Sequence, residues 1–463
     1  FHLARNDSSY GTLILSNSVV NANSAFFGRD NGWNNRMTVS IDPSSQLNLA
    51  GSLYLRGGDV DDPQGIKRWT LPLAQTPTAG RLSVRTNQYI FVSDSASTRN
   101  ELNLTSTNVA GGSMILYGLR MAMSDDTIGR VNLDGLNLRT TGDHLYIGNG
   151  TRSAGSLAAV NSSIAVTNYD ILLARGDTAS GALALSNSTL SAQNAYFGRD
   201  NGWNNRMTVS IDTNSQLNLA GNLYLRGGDV DDPQGIKRWT LPLAQIPTAG
   251  KLSIQTNRYL YISDQTSTRN ELTLSQAAGC ASNLSFSGVQ VGCGQSAIGT
   301  LNLRSVDVAV TGDQLYIGTG NGSNGRLTLS NSTVNIPGRD LYLRNNSSGA
   351  AALCGTGTVN VGVWLRQNGR VVADGGDLNL TFAGILNTDA YGALQVDGTQ
   401  WGWYAVNRGR LILPAMNVTG DRVVERAGVV PPAVRDEQRL ALADDAADGA
   451  LRAEARMAIE VRR

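Results

Sequence analysis

The sequence predicts an all-β chain wound as a parallel β-helix, or β-solenoid, and three observations carry that prediction. The first is an internal repeat: residues 27–80 and 197–250 differ at only four positions, Pro43/Thr213, Ser44/Asn214, Ser52/Asn222 and Thr76/Ile246. The offset of 170 residues holds without a gap beyond that block, so the segment from Gly11 to Ser18 returns at Gly181–Ser188 and the one from Gly142 to Gly148 at Gly312–Gly318. Repetition of this kind marks a quasi-one-dimensional array. The second is short runs of period two separated by Ser, Asn, Gly and Asp clusters, which read as strands between turns. The third is the recurrence of one three-strand phrase every 20 to 30 residues with no Asn-Gly-type two-residue turn at fixed places. That pattern disfavours hairpins and favours one coil per phrase, each strand pairing in parallel with its equivalent one coil along.

The elements follow in order. An entry segment covers 1–10, the first repeat 11–180, the second 181–350, divergent coils or a cap 351–427, and a linker with a helical tail 428–463. In the first strand of a coil the alternation points Leu13 and Leu15, Leu183 and Leu185, Leu301 and Leu303, and Leu327 and Leu329 inward. In the third strand it points Leu53 and Leu55, Leu145 and Ile147, Leu223 and Leu225, Leu315 and Ile317, and Leu341 and Leu343 inward. At roughly 4.8 Å per coil, about fifteen coils stack on the order of 70 Å. Such aliphatic ladders bury surface worth about 25 cal/mol per Å² and need no cofactor. Asn17, Asn161, Asn187 and Asn331 share the corner after the first strand, where Asn tolerates a left-handed backbone and stacked amides can bond along the axis. Past Ala350 the register is lost, and Trp364, Trp401, Trp403 and Tyr404 crowd a region that reads as a cap or docking module. Beyond Val-Val-Pro-Pro, Ala433–Val461 carries Leu440, Ala443, Ala447, Leu451, Ala455 and Ile459 near helical spacing, a tail that either docks on a neighbour or anchors elsewhere.

A net charge of +1 with 16% charged residues and no basic stripe argues against nucleic acid as partner. No run of eighteen apolar residues encodes a membrane span. The start at Phe1 enters the repeat almost at once, as a processed or trimmed chain would. Cys280 and Cys293 flank a local loop that has no cysteine in the first copy, which favours a disulfide and an oxidising compartment, while Cys354 reads as a small buried residue.

The phrases Leu-Tyr-Ile-Gly-Asn-Gly-Thr (145–151), Gly-Ala-Leu-Ala-Leu-Ser-Asn-Ser-Thr-Leu (181–190) and Gly-Arg-Leu-Thr-Leu-Ser-Asn-Ser-Thr-Val (325–334) resemble secreted bacterial β-helix proteins, namely autotransporter passenger domains and filamentous-haemagglutinin-like adhesins. The resemblance spans roughly residues 11–420 and rests on rung pattern and composition. It implies a right-handed coil, export to the outside or surface of a bacterial cell, and work in adhesion, self-association or matrix building. Two departures from that pattern are expected to matter: the sequence read here shows no membrane barrel after the coils, so that either it was removed or export takes another route, and the near-identical duplication points towards a fibre or coat component.

Three features are candidates for function. The residue between the two buried aliphatics of the third strand is repeatedly aromatic: Phe26, Tyr54, Phe91, Tyr146, Tyr196, Tyr224, Tyr261, Tyr316 and Tyr342. On a parallel stack these lie on one face about 5 Å apart, as a sugar-stacking platform, a docking surface between copies of the chain, or rings that only stabilise the sheet. The second feature is the insertion 56–75, repeated at 226–245, with Trp69 and Trp239 expected to pin a loop to the flank. Its Asp59, Asp61 and Asp62, with Asp229, Asp231 and Asp232, could supply oxygen ligands to calcium. The spacing lacks the later Glu of an EF-hand, so solvated loop acids are the preferred reading. The third is the corner 28–35, repeated at 198–205, where Trp33 and Trp203 read as packing residues.

Catalysis is the weakest expectation. His2 and His144 are the histidines, and His144 becomes Gln314 in the second copy. A polysaccharide-cleaving site of pectate-lyase or glycosidase type would have to be built from Asp61 and Asp62 by elimination. The sequence therefore favours a non-enzymatic extracellular protein that polymerises with other copies of itself, with a glycan-binding adhesin as the alternative.

Overall fold

A computed structural model describes residues 1–85, 88–255, 258–343, 350–367, 369–382, 384–385, 403–406, 411–413 and 459–461. The fold is an all-β parallel β-solenoid of about 14 turns. Two compact units make up the chain, one of residues 1–235 with 246–255, the other of residues 236–245 with 256–463.

A full turn has a lead strand, a second strand and a short third strand. In the first unit the third strands run Ala25–Phe27, Leu53–Leu55, Tyr89–Val92, Gly118–Met121, Leu145–Ile147, Ile171–Leu173, Ala195–Phe197 and Leu223–Leu225. Each pairs in parallel with the next, and Phe26, Tyr54 and Phe91 are direct partners. In the second unit the series is Tyr259–Ile262, Gly288–Val291, Leu315–Ile317, Leu341–Leu343, Trp364–Gln367 and Gly384–Ile385. The core is the column of aliphatics that period two points inward. The expected inward residues are buried from Leu15 through Leu343, and Leu13 is half-buried. Towards the end of the second unit, lead and second strands merge into the long strands Asn324–Ile336, Ala350–Val361 and Arg370–Thr381, which pair with shifts of register.

The corners answer the sequence closely. Asn17, Asn161, Asn187 and Asn331 all take positive φ, between 45° and 50°. Asn187 Nδ2 donates to Asn161 Oδ1 at 2.8 Å, a rung of the amide ladder expected there.

Three expectations are corrected. The insertion does not leave the scaffold as a free loop. Lys67–Trp69 is a lead strand that pairs in parallel with Asn100–Leu102, and Leu73–Ala74 extends the second-strand sheet beside Leu82–Ser83. Alternating side chains and apolar Trp69, Leu71 and Leu73 make it a shortened rung. Trp69 thus sits inside the coil against Phe27, at 5.5 Å between ring centroids, rather than pinning a loop to the outer flank. Cys280 and Cys293 are not joined: Cys280 Sγ lies 3.3 Å from the Leu241 carbonyl, while Cys293 Sγ lies 3.6 Å from the carbonyls of Val291 and Tyr316. The two sulfurs are engaged at different corners of the coil, and burial pushes the Cys293 thiol pKa up. Cys354 is buried, as expected. The helical tail read over 433–461 lies outside the described residues up to 458, and Ile459–Val461 is a strand paired with Leu411–Leu413. Trp401 also lies outside them.

Candidate functional site

The aromatic face is real, and its geometry decides what it can do. The three-residue third strands, such as Leu53–Leu55, Leu145–Ile147 and Leu223–Leu225, bury both flanking residues, so the one outward side chain between them must cover the strand. Parallel pairing in register stacks these side chains at the strand spacing. His2 and Phe26 stack at 4.5 Å and 8° between planes, Phe26 and Tyr54 at 4.3 Å and 7°, and Tyr54 and Phe91 at 4.6 Å and 3°. Tyr196 and Tyr224 stack at 4.3 Å and 3°, and in the second unit Tyr316 and Tyr342 at 4.9 Å and 26°. All nine expected aromatics are half-buried.

The rows are interrupted by other residues at the same register. Arg120 occupies the place after Phe91, its guanidinium 5.6 Å from the Phe91 ring centre and 5.0 Å from that of Tyr146. Leu172 separates Tyr146 from Tyr196, and Gln290 lies between Tyr261 and Tyr316. Guanidinium and aromatic planes stack favourably, so Arg120 continues the ladder as a flat cation. The ring-only row in the sequence misses this because it counts aromatics where the physical requirement is planarity.

One flank of the ladder is a line of arginines held by aspartates. Arg56 lies over Phe26 and Tyr54, at 5.1 and 4.8 Å, and forks onto Asp94 with bonds of 2.8 and 2.7 Å while also pairing with Asp30. Arg226 lies 4.5 Å over Tyr224 and bonds Asp200 at 2.7 Å, and Arg175 pairs with the same carboxylate. Arg120 pairs with Asp143 at 2.6 Å, and Arg366 with Asp340 at 2.6 Å beneath Tyr342. Burial raises the phenol pKa values of Tyr146, Tyr196 and Tyr342, and that of Tyr316 is pushed up to about 12. These phenols stay neutral through the physiological range.

The insertion acids are likewise engaged by neighbours. Asp59 meets Lys67 at 3.3 Å, Asp61 meets Arg36, and Asp62 meets Arg68 at 2.5 Å. Asp62 also accepts the backbone N–H groups of Gln64 and Ile66, and with Arg68 these hold its pKa at about 2. In the second copy Asp231 takes a fork from Arg206, both bonds 2.7 Å. Among the described residues no three His, Cys, Asp or Glu side chains gather in a way that could hold a metal ion. Asp61 and Asp62 therefore face two different arginines rather than one shared groove. Asp229 and Asp232 occupy the matching positions of the second insertion.

Trp33 explains the glycines of the same module. A Cβ added at Gly58 would stand 2.5 Å from Trp33 Cβ, and one at Gly65 would enter the indole ring. Trp203 lies on Gly228 and Gly235 in the same way. The corner and the insertion, read apart in the sequence, are one packed unit. Their common signal is an aromatic followed one turn later by glycine, seen again where Tyr89 lies on Gly118 and Tyr117 on Gly142. Trp69 closes the module: its indole N–H donates at 2.9 Å to Asn100 Oδ1, and Asn100 is fully buried. Trp239 donates to Asn270 at 3.0 Å.

His144 accepts the Asp170 backbone N–H on Nδ1 at 3.1 Å, with the rings of Tyr146 and Tyr169 at 85° and 88° to it. That contact makes the imidazole a corner support. No family model, curated protein or solved structure matches this chain.

Proposed function

We propose that the chain is a non-enzymatic structural protein, exported to the outside or surface of a bacterial cell, which assembles with copies of itself into a fibre, sheath or coat. The observation that carries this reading is the ladder of planar side chains. Sugars stack on open ring faces, and here the faces are turned on one another at 4.3–4.6 Å along Phe26, Tyr54 and Phe91, leaving the edges outward. The neighbouring arginines are each held by aspartates, Arg56 by two and Arg175 and Arg226 by one that they share, so the surface offers a charge-balanced, rigid wall. A wall that repeats suits association with the same wall on another copy, and parallel strands suit addition along the axis. Secretion is supported by the rung resemblance and by the Gly-, Asn- and Ser-rich, weakly charged composition.

Sedimentation velocity over a concentration series tests this, with a glycan array in parallel. Growth into large species with no glycan bound is the expected result. A monomer that binds glycans would replace the proposal with the adhesin reading. Polysaccharide cleavage lost in Asp61→Ala plus Asp231→Ala would replace it with the enzyme reading.

A further inference from the structure

Position 26 and its equivalent 196 differ by one hydroxyl, since phenylalanine stands at the first and tyrosine at the second. Each stacks on a tyrosine of the next turn. Phe26 lies 4.3 Å from Tyr54 with the planes 7° apart, and Tyr196 lies 4.3 Å from Tyr224 with the planes 3° apart. Tyr196 and Tyr224 are direct partners in the parallel sheet, so their side chains leave it in the same direction and the rings face each other in one orientation. Asn222 Nδ2 donates to the Tyr224 hydroxyl at 3.0 Å, and the hydroxyls of Tyr196 and Tyr224 are within reach of one another. Both residues are half-buried, which leaves an edge of each ring open to small reagents.

We propose that Tyr196 and Tyr224 form a modification site, at which a one-electron oxidant joins the two rings as dityrosine and ties successive turns together covalently. Each phenol gives up one electron and its hydroxyl proton. The radical that remains is shared between the oxygen and the ring carbons ortho and para to it. The para carbon carries the side chain, so coupling falls on the ortho carbons. A C–C bond forms between the rings, and the hydrogen on each joined carbon moves to its own ring's oxygen, restoring two phenols. The oxidant takes two electrons in all, persulfate becoming two sulfate ions, and two protons pass to water. Stacking supplies what the coupling needs, because two short-lived radicals combine efficiently only when they are held together. The first copy has no such site at the same place, since Phe26 carries no hydroxyl to oxidise. Tyr316 and Tyr342 are also direct partners, but their planes are 26° apart at 4.9 Å and the Tyr316 hydroxyl donates to Gln314 Oε1. That pair should couple more slowly.

The chain's arginines make the test clean. Dilute protein is oxidised with persulfate and a photo-excited ruthenium tris-bipyridine complex, and monomer is recovered on a denaturing column, which removes links between copies. Trypsin then releases 176–199 and 207–226, each with a single tyrosine, Tyr196 in one and Tyr224 in the other. The expected product is these two peptides joined ring to ring, two hydrogens lighter than their sum, as tandem mass spectrometry reads it. Unfolding in urea before oxidation should lower its yield by roughly tenfold, because the stack is lost. Tyr196→Phe should abolish it, and the fold accepts that exchange because Phe26 fills the equivalent place in the first copy. Phe26→Tyr should create the matching link to Tyr54, joining peptides 6–29 and 37–56. Oxidised monomer without the 196–224 link, or as much of it from unfolded protein as from folded, would overturn the proposal. A Phe26→Tyr protein that forms no link to Tyr54 would overturn its basis in the stacking.

Discussion

Thr140→Val should stabilise the protein, and the repeat supplies its own control. Thr140 ends a second strand with its side chain inward, stacked between Leu116 and Val166. It is fully buried, and its hydroxyl has no hydrogen-bond partner. The residue 170 positions on is Val310, also fully buried and paired with Phe286. Threonine and valine have nearly the same shape, so the exchange replaces a hydroxyl with a methyl and opens no cavity. An unsatisfied buried polar group costs about 1–3 kcal/mol. Relieving it, with partial relaxation around the new methyl, should gain about 1–2 kcal/mol, a factor of roughly 5–30 in the local folding equilibrium. Val310→Thr should lose a similar amount in the other copy. Hydrogen exchange read on peptides covering 113–140 and 283–310 across a urea series measures each site separately, which suits an array whose units need not unfold together. Loss of protection in Thr140→Val, or no cost in Val310→Thr, would refute the claim that the hydroxyl is stranded in an aliphatic column.

Trp69→Phe should destabilise by about 1–3 kcal/mol in urea melts, because the buried Asn100 Oδ1 loses its indole donor; a change within a few tenths would contradict the packed module. Gly28→Ala should cost roughly 2–4 kcal/mol, since φ is +108° and the new Cβ would fall on the Arg56 carbonyl of the next turn; an unshifted urea midpoint would contradict the observed spacing of the turns. The insertion should respond to acid through Asp62, whose pKa is lowered from its ordinary 3.8 to about 2 by Arg68 and two backbone N–H groups. A depressed carboxyl stabilises the folded form above the unfolded pKa and loses that contribution as pH falls through the folded one. Amide exchange at 57–66 should therefore hold steady down to pH about 4 and rise as pH approaches about 2; an NMR titration of Asp62 centred near 3.8 would contradict it.

The lead and third strands were legible because period two survives almost unbroken through Leu-x-Leu pairs such as Leu53 and Leu55 or Leu183 and Leu185. Corner asparagines were legible because asparagine takes the left-handed backbone seen at Asn17 and Asn187 more readily than most residues, whereas the serines and alanines that take it at other corners, such as Ser93 and Ala122, carry no such signal. The insertion was misread because Pro and clustered acids look like a loop, whereas Ile66, Trp69, Leu71 and Leu73 follow the interior of a shortened turn. The ladder's course past Phe91 was hidden because Arg120 is planar without being aromatic. Glycine beds under Trp33 and Tyr117 escaped notice because the partners are a whole turn apart, and only the fold brings position 33 to 58 or 117 to 142. The disulfide was inferred from two cysteines flanking a short loop, but thiol direction is set by the coil.

Fibre diffraction from aligned specimens of the purified protein tests the proposed role most directly. Turns stacked in register along an assembly axis should give a meridional reflection at about 4.8 Å, the separation of neighbouring strands. Protein that stays monomeric at every concentration, or fibres that place this spacing on the equator, would contradict end-to-end growth of the solenoid.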